Sequence, residues 1–318
     1  MKTLSVIIPV FNEVHFGPNI VRVMDVLERS GIEHEIILVD DGSTNGAWNE
    51  IADLVARHGN VTGISLSRNF GKEAALCAGL EHCTGDCAVC LDSDMQFPPE
   101  AIPAMYRLWK EGYEVVEGVK RERQHEGVVY RLCAGAFYTA LRKLAGIDLR
   151  NASDFRLLDR AVVDALLGMP ERQTFFRGMS SWVGFRRVRY EFDVSDREEG
   201  RSKWSARGLF RLAVNAVTSY TAGPLYVTAA FGLLFLLFMA AMLVQTLYMK
   251  FSGGARDGFT TVIILQLLIG AITLLGMGTM GIYIKNIYEE VKGRPRYIAR
   301  RVIGREARQH GNRTPGVE

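Results

Sequence analysis

The chain has 318 residues, with 38 Lys and Arg against 35 Asp and Glu, a formal net charge of +3. At 48% hydrophobic and 23% charged it is a folding composition, which excludes a disordered, collagen-like or disulfide-scaffold protein. The basic excess is too small to argue for nucleic acid as a partner, and none is expected.

The run Leu4–Phe11 is continuously apolar and predicts a strand, followed by a helical stretch near Pro18–Ser30. Glu35–Val39 reads as a second strand and Ala47–Arg57 as a helix. Val61–Leu66, a helix from Lys72 to about His82, and Cys87–Leu91 repeat the alternation. Another helix, Glu100–Glu111, leads into Val115–Val119. Strands without polar alternation, each separated by a helix, predict an α/β domain with a mostly parallel sheet covered on both faces. Of the five cysteines (77, 83, 87, 90 and 133), Cys87 and Cys90 lie inside an apolar strand. They read as core residues of a reduced domain, with neither disulfides nor a metal site expected.

No charged residue occurs from Leu212 to Met249, or from Gly258 to Ile284. The segments Leu225–Met249 and Thr260–Ile284 are each long enough, at about 1.5 Å per residue, to cross a hydrocarbon core about 30 Å thick. Soluble helices are rarely apolar on every face over such a length, so two membrane spans are predicted. The connection Lys250–Phe259 carries two basic residues. The tail carries nine: Lys285, Lys292, Arg294, Arg296, Arg300, Arg301, Arg305, Arg308 and Arg313. The positive-inside rule then puts both termini in the cytoplasm. The opening apolar run is too short for a signal peptide. The expected organisation is a cytoplasmic domain over residues 1–205, a juxtamembrane amphipathic segment over 206–223, the two spans within 224–285, and a basic tail over 286–318. Arg207 and Arg211, interleaved with aromatic Trp204 and Phe210, suit a helix lying on anionic lipid, and the tail cluster suits an orientation and lipid-surface role.

In parallel sheets ligands bind at the carboxyl ends of the strands. Here those ends read Asn12-Glu13, Asp40-Asp41-Gly42-Ser43, Ser67-Arg68-Asn69-Phe70-Gly71-Lys72 and Asp92-Ser93-Asp94-Met95-Gln96. Each piece alone is an ordinary turn or helix cap. Four polar strand ends in one sheet, the last with carboxylates two residues apart, point to a site. Two carboxylates and an amide oxygen from one loop suit a hard divalent cation that keeps ligand places for phosphate oxygens. Gly71-Lys72 lacks the glycine spacing of a P-loop.

Ser5-Val-Ile-Ile-Pro-Val-Phe-Asn-Glu13, Val39-Asp-Asp-Gly-Ser43, Arg68-Asn-Phe-Gly-Lys72 and Leu91-Asp-Ser-Asp-Met-Gln96 together resemble the inverting family 2 glycosyltransferases, which have the Rossmann-like GT-A fold. More narrowly, the chain resembles the polyprenyl-phosphate glycosyltransferases, which include dolichyl-phosphate mannose synthase, and above all the bactoprenol glucosyltransferases. The narrower likeness rests on Asp154-Phe-Arg-Leu-Leu-Asp-Arg160, Met169-Pro-Glu-Arg172, Phe176-Arg-Gly178, Ser181-Trp-Val-Gly184, Arg197 with Gly200, Ser202 and Lys203, and the stretch Ile287–Tyr297 after two spans. It covers nearly the whole chain.

The resemblance implies roles. Pro9, Asn12, Glu13, Asp41 and Ser43 match the pocket for the nucleotide base and ribose, with Lys72 beside them on the nucleotide sugar. Asp92 matches the first aspartate of the family signature, nearest the ribose and sugar. Asp94 and Gln96 match the ligands of Mg²⁺ or Mn²⁺. Asp154 holds the acidic position proposed in the family as base or sugar contact, although an ionised lipid phosphate needs little help from a base. Cations follow for the acceptor: Lys120, Arg121, Arg123 and Arg131 after the fifth strand, and Arg197, Ser202 and Lys203 in the motif that closes over phosphates. The implied donor is UDP-glucose, with GDP-mannose, UDP-N-acetylhexosamines and a UDP-aminoarabinose derivative as alternatives. The implied acceptor is undecaprenyl phosphate in the inner membrane, and the lipid-linked sugar would pass to a separate flippase. Gly270, Gly276, Gly278 and Gly281 in the second span would allow close helix packing and a homo-oligomer.

Two positions depart from the family pattern. Phe97 stands where an acidic residue often follows the glutamine, which implies an altered sugar pocket or loop closure. Ile282 stands where the second span tends to carry a glutamate. A processive polysaccharide synthase would carry Gln-x-x-Arg-Trp and a nucleotidyltransferase an early Gly-x-Gly-x-Arg; both motifs are absent. A non-catalytic membrane subunit or lipid carrier built on a decayed transferase domain is the remaining alternative, and intact Asp92, Asp94, Gln96 and Arg197 weigh against it.

Overall fold

The structure, a computed structural model, describes residues 2–120, 153–169, 171, 176–192, 222–252 and 258–304. Strand β1 (Leu4–Val10) is buried along its whole length, as expected of a central strand with helices on both faces. Its side chains alternate between two cores. Leu4, Val6 and Ile8 pack with Ile20, Val23 and Leu27 of α1 (Gly17–Arg29), Ile51 of α2 (Ala47–Arg57) and Met105 of α4 (Ile102–Lys110). Ile7 points the other way, toward Ala75 and Leu76 of α3 (Lys72–Glu81), Val162 of α5 (Arg160–Leu167) and Met179 of α6 (Phe176–Trp182). Each such aliphatic side chain withdrawn from water contributes about 1.5–3 kcal/mol.

The helices follow from their patterns. In α1 the buried Ile20, Val23, Met24 and Leu27 recur at helical spacing, with a proline in the first turn. In α3 the residues from Ala74 to Leu80 are all buried and small or aliphatic. A Cβ on Gly79 would stand 2.3 Å from Ile7 Cγ2, so this glycine lets α3 lie close against β1.

The sheet has eight strands in the order β7-β5-β6-β4-β1-β2-β3-β8. Besides β1 these are β2 (His34–Asp40), β3 (Val61–Leu66), β4 (Cys87–Cys90), β5 (Val115–Lys120), β6 (Arg156–Asp159), β7 (Arg187–Phe192) and β8 (Ala299–Ile303). Pairing is parallel for β1 with β2 and β4, β2 with β3, and β5 with β7. Only β6 and β8 run against the rest. The five predicted strands and their helices stand within a few residues of their expected ends. The basic tail is more than a surface device, because five of its residues form β8, antiparallel to β3. Ser67 N donates to Ile298 O at 2.8 Å, Arg296 donates to the backbone oxygens of Met169 and Glu171, and the Tyr297 hydroxyl to Glu81.

Cys77, Cys83, Cys87 and Cys90 are free and buried, and burial pushes their thiols above the ordinary value. Cys133 lies outside the described residues.

The chain divides into two compact units, residues 1–201 with 294–318, and 202–293. The second contains α7 (Gly223–Phe251) and α8 (Phe259–Val291), of 29 and 33 residues. Both are long and apolar enough to cross a membrane. Large apolar side chains such as Leu233, Leu236, Leu274 and Met277 stand exposed on them. Helix α8 runs through Ile282 and Lys285 to Val291, beyond the predicted end of the span.

Candidate active site

The polar ends of β1, β2, β3 and β4 lie together because the four strands are parallel neighbours and end on one edge of the sheet. Asn12 has φ 51°, a left-handed conformation that turns the chain sharply after β1. Its N–H donates to Ser43 Oγ at 2.9 Å, and its Oδ1 accepts from Thr44 N at 2.8 Å. The Ser93 hydroxyl donates to the Pro9 carbonyl at 3.1 Å. The expected nucleotide residues Pro9, Asn12 and Ser43 are thus tied to the loops after β2 and β4, and Asn45 Nδ2 donates to the Glu13 carbonyl at 3.2 Å.

Asp41 is buried, and its carboxylate accepts from Phe70 N at 2.8 Å and Gly71 N at 2.9 Å. It therefore holds the loop that delivers Lys72, besides any contact with a nucleotide. Lys72 Nζ lies 2.6 Å from Asp92 Oδ1 and 2.7 Å from Asp154 Oδ2. Arg177 completes the row, with Nε 2.7 Å from Asp154 Oδ1 and Nη2 2.9 Å from Oδ2. Negative and positive groups alternate: Asp92, Lys72, Asp154, Arg177.

Asp94 is exposed on the loop after β4, and Met95 takes φ 49° so that the chain folds back on it. Gln96 Nε2 lies 2.6 Å from Asp94 Oδ2. An amide can be turned end for end, which would aim the Gln96 oxygen at the same place. Burial raises the Glu13 and Asp92 carboxyls above their ordinary values, and the neighbouring Asp94 charge adds to it in both, against an opposing Lys72. Carboxylates that crowd one another at a rim accommodate a divalent cation, which would relieve that repulsion. Among the described residues no three His, Cys, Asp or Glu side chains form a closed metal cage. The Asp94 carboxylate and the Gln96 amide, 2.6 Å apart on one exposed loop, are chemically suited to a divalent ion that would draw its remaining ligands from elsewhere.

Phe97 is buried in the hydrophobic core. It stacks on Phe155 with centroids 5.2 Å apart and meets Phe192 edge-on at 5.8 Å. The departure at this position belongs to loop anchoring: it ties the Asp94 loop to the residue after Asp154.

Sequence reasoning missed the roles of Arg177, Glu73 and Arg156, although Arg156 and Arg177 stood in quoted motifs. Arg156 is fully buried and Glu73 Oε2 accepts from Phe176 N at 2.6 Å. The backbone of Lys120 ends β5; its side chain, and Arg121, Arg123, Arg131, Arg197, Ser202 and Lys203, lie outside the described residues, as does the segment 206–221.

A mostly parallel Rossmann-like sheet with acidic loops at the ends of β1, β2 and β4 defines the GT-A class of glycosyltransferases. Residues 5–167 match glycosyl transferase family 2, and the chain belongs to that family. The SfII prophage-derived bactoprenol glucosyl transferase of Shigella flexneri is 35% identical over 304 residues, covering 94% of this chain and 97% of its own. The prophage bactoprenol glucosyl transferase homolog of Escherichia coli is 34% identical over 94% of this chain and 99% of its own. An uncharacterized glycosyltransferase of Synechocystis is 34% identical over 95% and 96%. Among solved structures, glucosyl-3-phosphoglycerate synthase from Mycobacterium tuberculosis, in complex with Mn²⁺, UDP-glucose and phosphoglyceric acid, is 22% identical with a TM-score of 0.47, covering 69% of this chain and 79% of that one.

Proposed function

We propose that the protein transfers glucose from UDP-glucose to a polyprenyl phosphate, undecaprenyl phosphate in a bacterium, at the cytoplasmic face of the inner membrane. The observation that carries this reading is the acidic rim at one sheet edge, Glu13, Asp92 and Asp94, with Lys72 among them. Nearly full-length similarity to bactoprenol glucosyl transferases supports the acceptor and the sugar.

Pro9, Asn12, Glu13, Asp41 and Ser43 hold the uridine, and Asp92 and Lys72 the sugar end of the donor. Asp94 and Gln96 would hold Mg²⁺ or Mn²⁺, which when bound would neutralise charge on the departing diphosphate. A phosphate oxygen of the acceptor attacks C1 of glucose. The bond from C1 to the β-phosphate oxygen breaks, its electron pair leaves with UDP, and C1 inverts. The attacking oxygen is already ionised near neutral pH, so no proton has to be removed. Lys120, Arg123, Arg131, Arg197, Ser202 and Lys203 supply the donors that seat the acceptor phosphate.

Helices α7 and α8, with the basic excess in the tail, support a membrane protein whose catalytic domain and termini are cytoplasmic. A Cβ on Gly270, Gly278 or Gly281, which share one side of α8, would meet nothing within 4 Å, which leaves that side open to pack on a second copy; Gly276 lies on the other side. The product carries its sugar on the cytoplasmic side, so a flippase must act before the sugar is used outside. The test of the metal role is Asp94→Asn: glucosyl transfer to undecaprenyl phosphate falls by about a hundredfold or more, as does wild-type activity under chelator. Undiminished transfer in the variant overturns the assignment.

A further inference from the structure

Arg177 plays no part in the reaction as drawn above, yet among the described residues it makes a forked, two-bond ion pair with a buried carboxylate. Its two parallel bonds to Asp154, at 2.7 and 2.9 Å, have the forked geometry that makes guanidinium–carboxylate pairs strong and directional. Asp154 is only 6% exposed, so water competes little for it. Lys72 takes the remaining approach to Oδ2, at 2.7 Å.

The guanidinium is itself fixed from behind. Phe176, the first residue of α6, donates its N–H to Glu73 at 2.6 Å, which fastens α6 to the start of α3. The fully buried Arg156 donates through Nη1 to the backbone oxygen of Arg177 at 3.2 Å and to the Ser180 hydroxyl. Through Nε it donates to Ser153 O at 3.0 Å, the residue before Asp154. One buried cation therefore ties together the segment that carries Asp154 and the helix that carries Arg177.

We propose that Arg177 is a positioning residue for the transfer: it holds Asp154 as a fixed anion that aims Lys72 at the donor, and Asp154 takes up no proton during turnover. The proposal deepens the transferase reading and rests on it. Among the described residues, the titratable and charged groups facing Asp154 are Lys72 and Glu73 from α3, Cys90 and Asp92 from β4 and its loop, Arg156 from β6, and Arg177 from α6. Burial works to raise the Asp154 carboxyl, but Arg177 and then Lys72 outweigh it and hold the group well below the usual carboxylate range. A carboxylate so held is a poor proton acceptor at neutral pH.

The test uses the full chain in detergent, with ¹³C-labelled aspartate carboxyls and the Asp154 signal assigned from Asp154→Asn. In the wild type that signal stays ionised from about pH 8 down to about pH 4. In Arg177→Gln its titration moves up by about one to three units, and an acid limb appears in the pH profile of kcat at the same place. Arg177→Lys, which keeps the charge and loses the fork, gives a smaller upward shift and serves alone if Arg177→Gln does not fold. An Asp154 titration identical in the wild type and the variants overturns the proposal, as does a raised Asp154 titration in Arg177→Gln with no acid limb in its pH profile of kcat. If the wild type transfers no sugar, the transferase reading fails, and the carboxyl titration still decides the case of Arg177.

Discussion

Asp41, at the end of β2, accepts the backbone N–H of Gly71 at 2.9 Å and that of Phe70 beside it at 2.8 Å. The next residue is Lys72, so an acid expected on the nucleotide also sets where the site's lysine begins. In Asp41→Ala two backbone donors lose their partner, which costs about 1–3 kcal/mol for each one left unsatisfied. The chemical-denaturation midpoint drops accordingly and UDP binds more weakly. Unchanged stability in the variant would show that the loop holds itself.

Gly42 has φ 68°, and a Cβ there would stand 2.3 Å from the Arg68 carbonyl carbon and 2.6 Å from Asn69 N. Those atoms are backbone and cannot swing aside. Gly42→Ala therefore combines a left-handed strain of about 1–2 kcal/mol with displacement of the β3 loop. The expected outcome is a lower Tm together with a raised KM for the donor. A variant with normal KM would mean that the loop after β3 does not shape the donor site.

The first five strands were legible because each is an apolar run of five or more residues, or nearly so, between helical patterns. The last three were not. Strand β6 has only four residues and reverses direction between β4 and β5, so nothing local marks it. Strand β7, Arg187–Phe192, does alternate polar and apolar residues, and that period of two was the available signal. Strand β8, Ala-Arg-Arg-Val-Ile, reads as part of a basic tail until β3 is there to pair with it. The acids of the site were legible as strand ends. The row from Lys72 through Asp154 to Arg177 was not, because it joins residues 82 and 23 positions apart in sequence.

Phe97 shows how a departure from a family pattern can be explained by packing. Its ring is 6% exposed between Phe155 and Phe192. Phe97→Ala removes a buried ring and leaves a cavity, for about 3–5 kcal/mol of lost stability in denaturant unfolding. Phe97→Asp, the family-like residue, adds an unpaired buried charge and is less stable still. An aspartate tolerated without loss would place this position on the surface of the site instead.

Glu73 is raised to about 7, chiefly by burial and then by the Asp154 charge. The folded chain holds this proton more tightly than the unfolded chain does. Below the ordinary carboxyl value of 4.5 the group therefore costs nothing; stability falls as pH rises from there to about 7, and the full cost remains above. Glu73→Gln keeps an acceptor for Phe176 N and has no charge to bury. Its Tm should approach or exceed that of the wild type above pH 7 and lose the advantage at low pH. A Tm difference that is the same at every pH contradicts the assignment.

The central claim is tested most directly by a transfer assay with the purified full-length protein, undecaprenyl phosphate, Mg²⁺ or Mn²⁺, and a panel of labelled nucleotide sugars. The account predicts an acid-labile lipid-linked glucose from UDP-glucose alone, abolished by chelator and by Asp94→Asn. The same product chemistry from a different nucleotide sugar would correct the donor and keep the reaction. Folded protein that binds the lipid phosphate and turns over no donor would contradict the account and favour a lipid carrier or subunit.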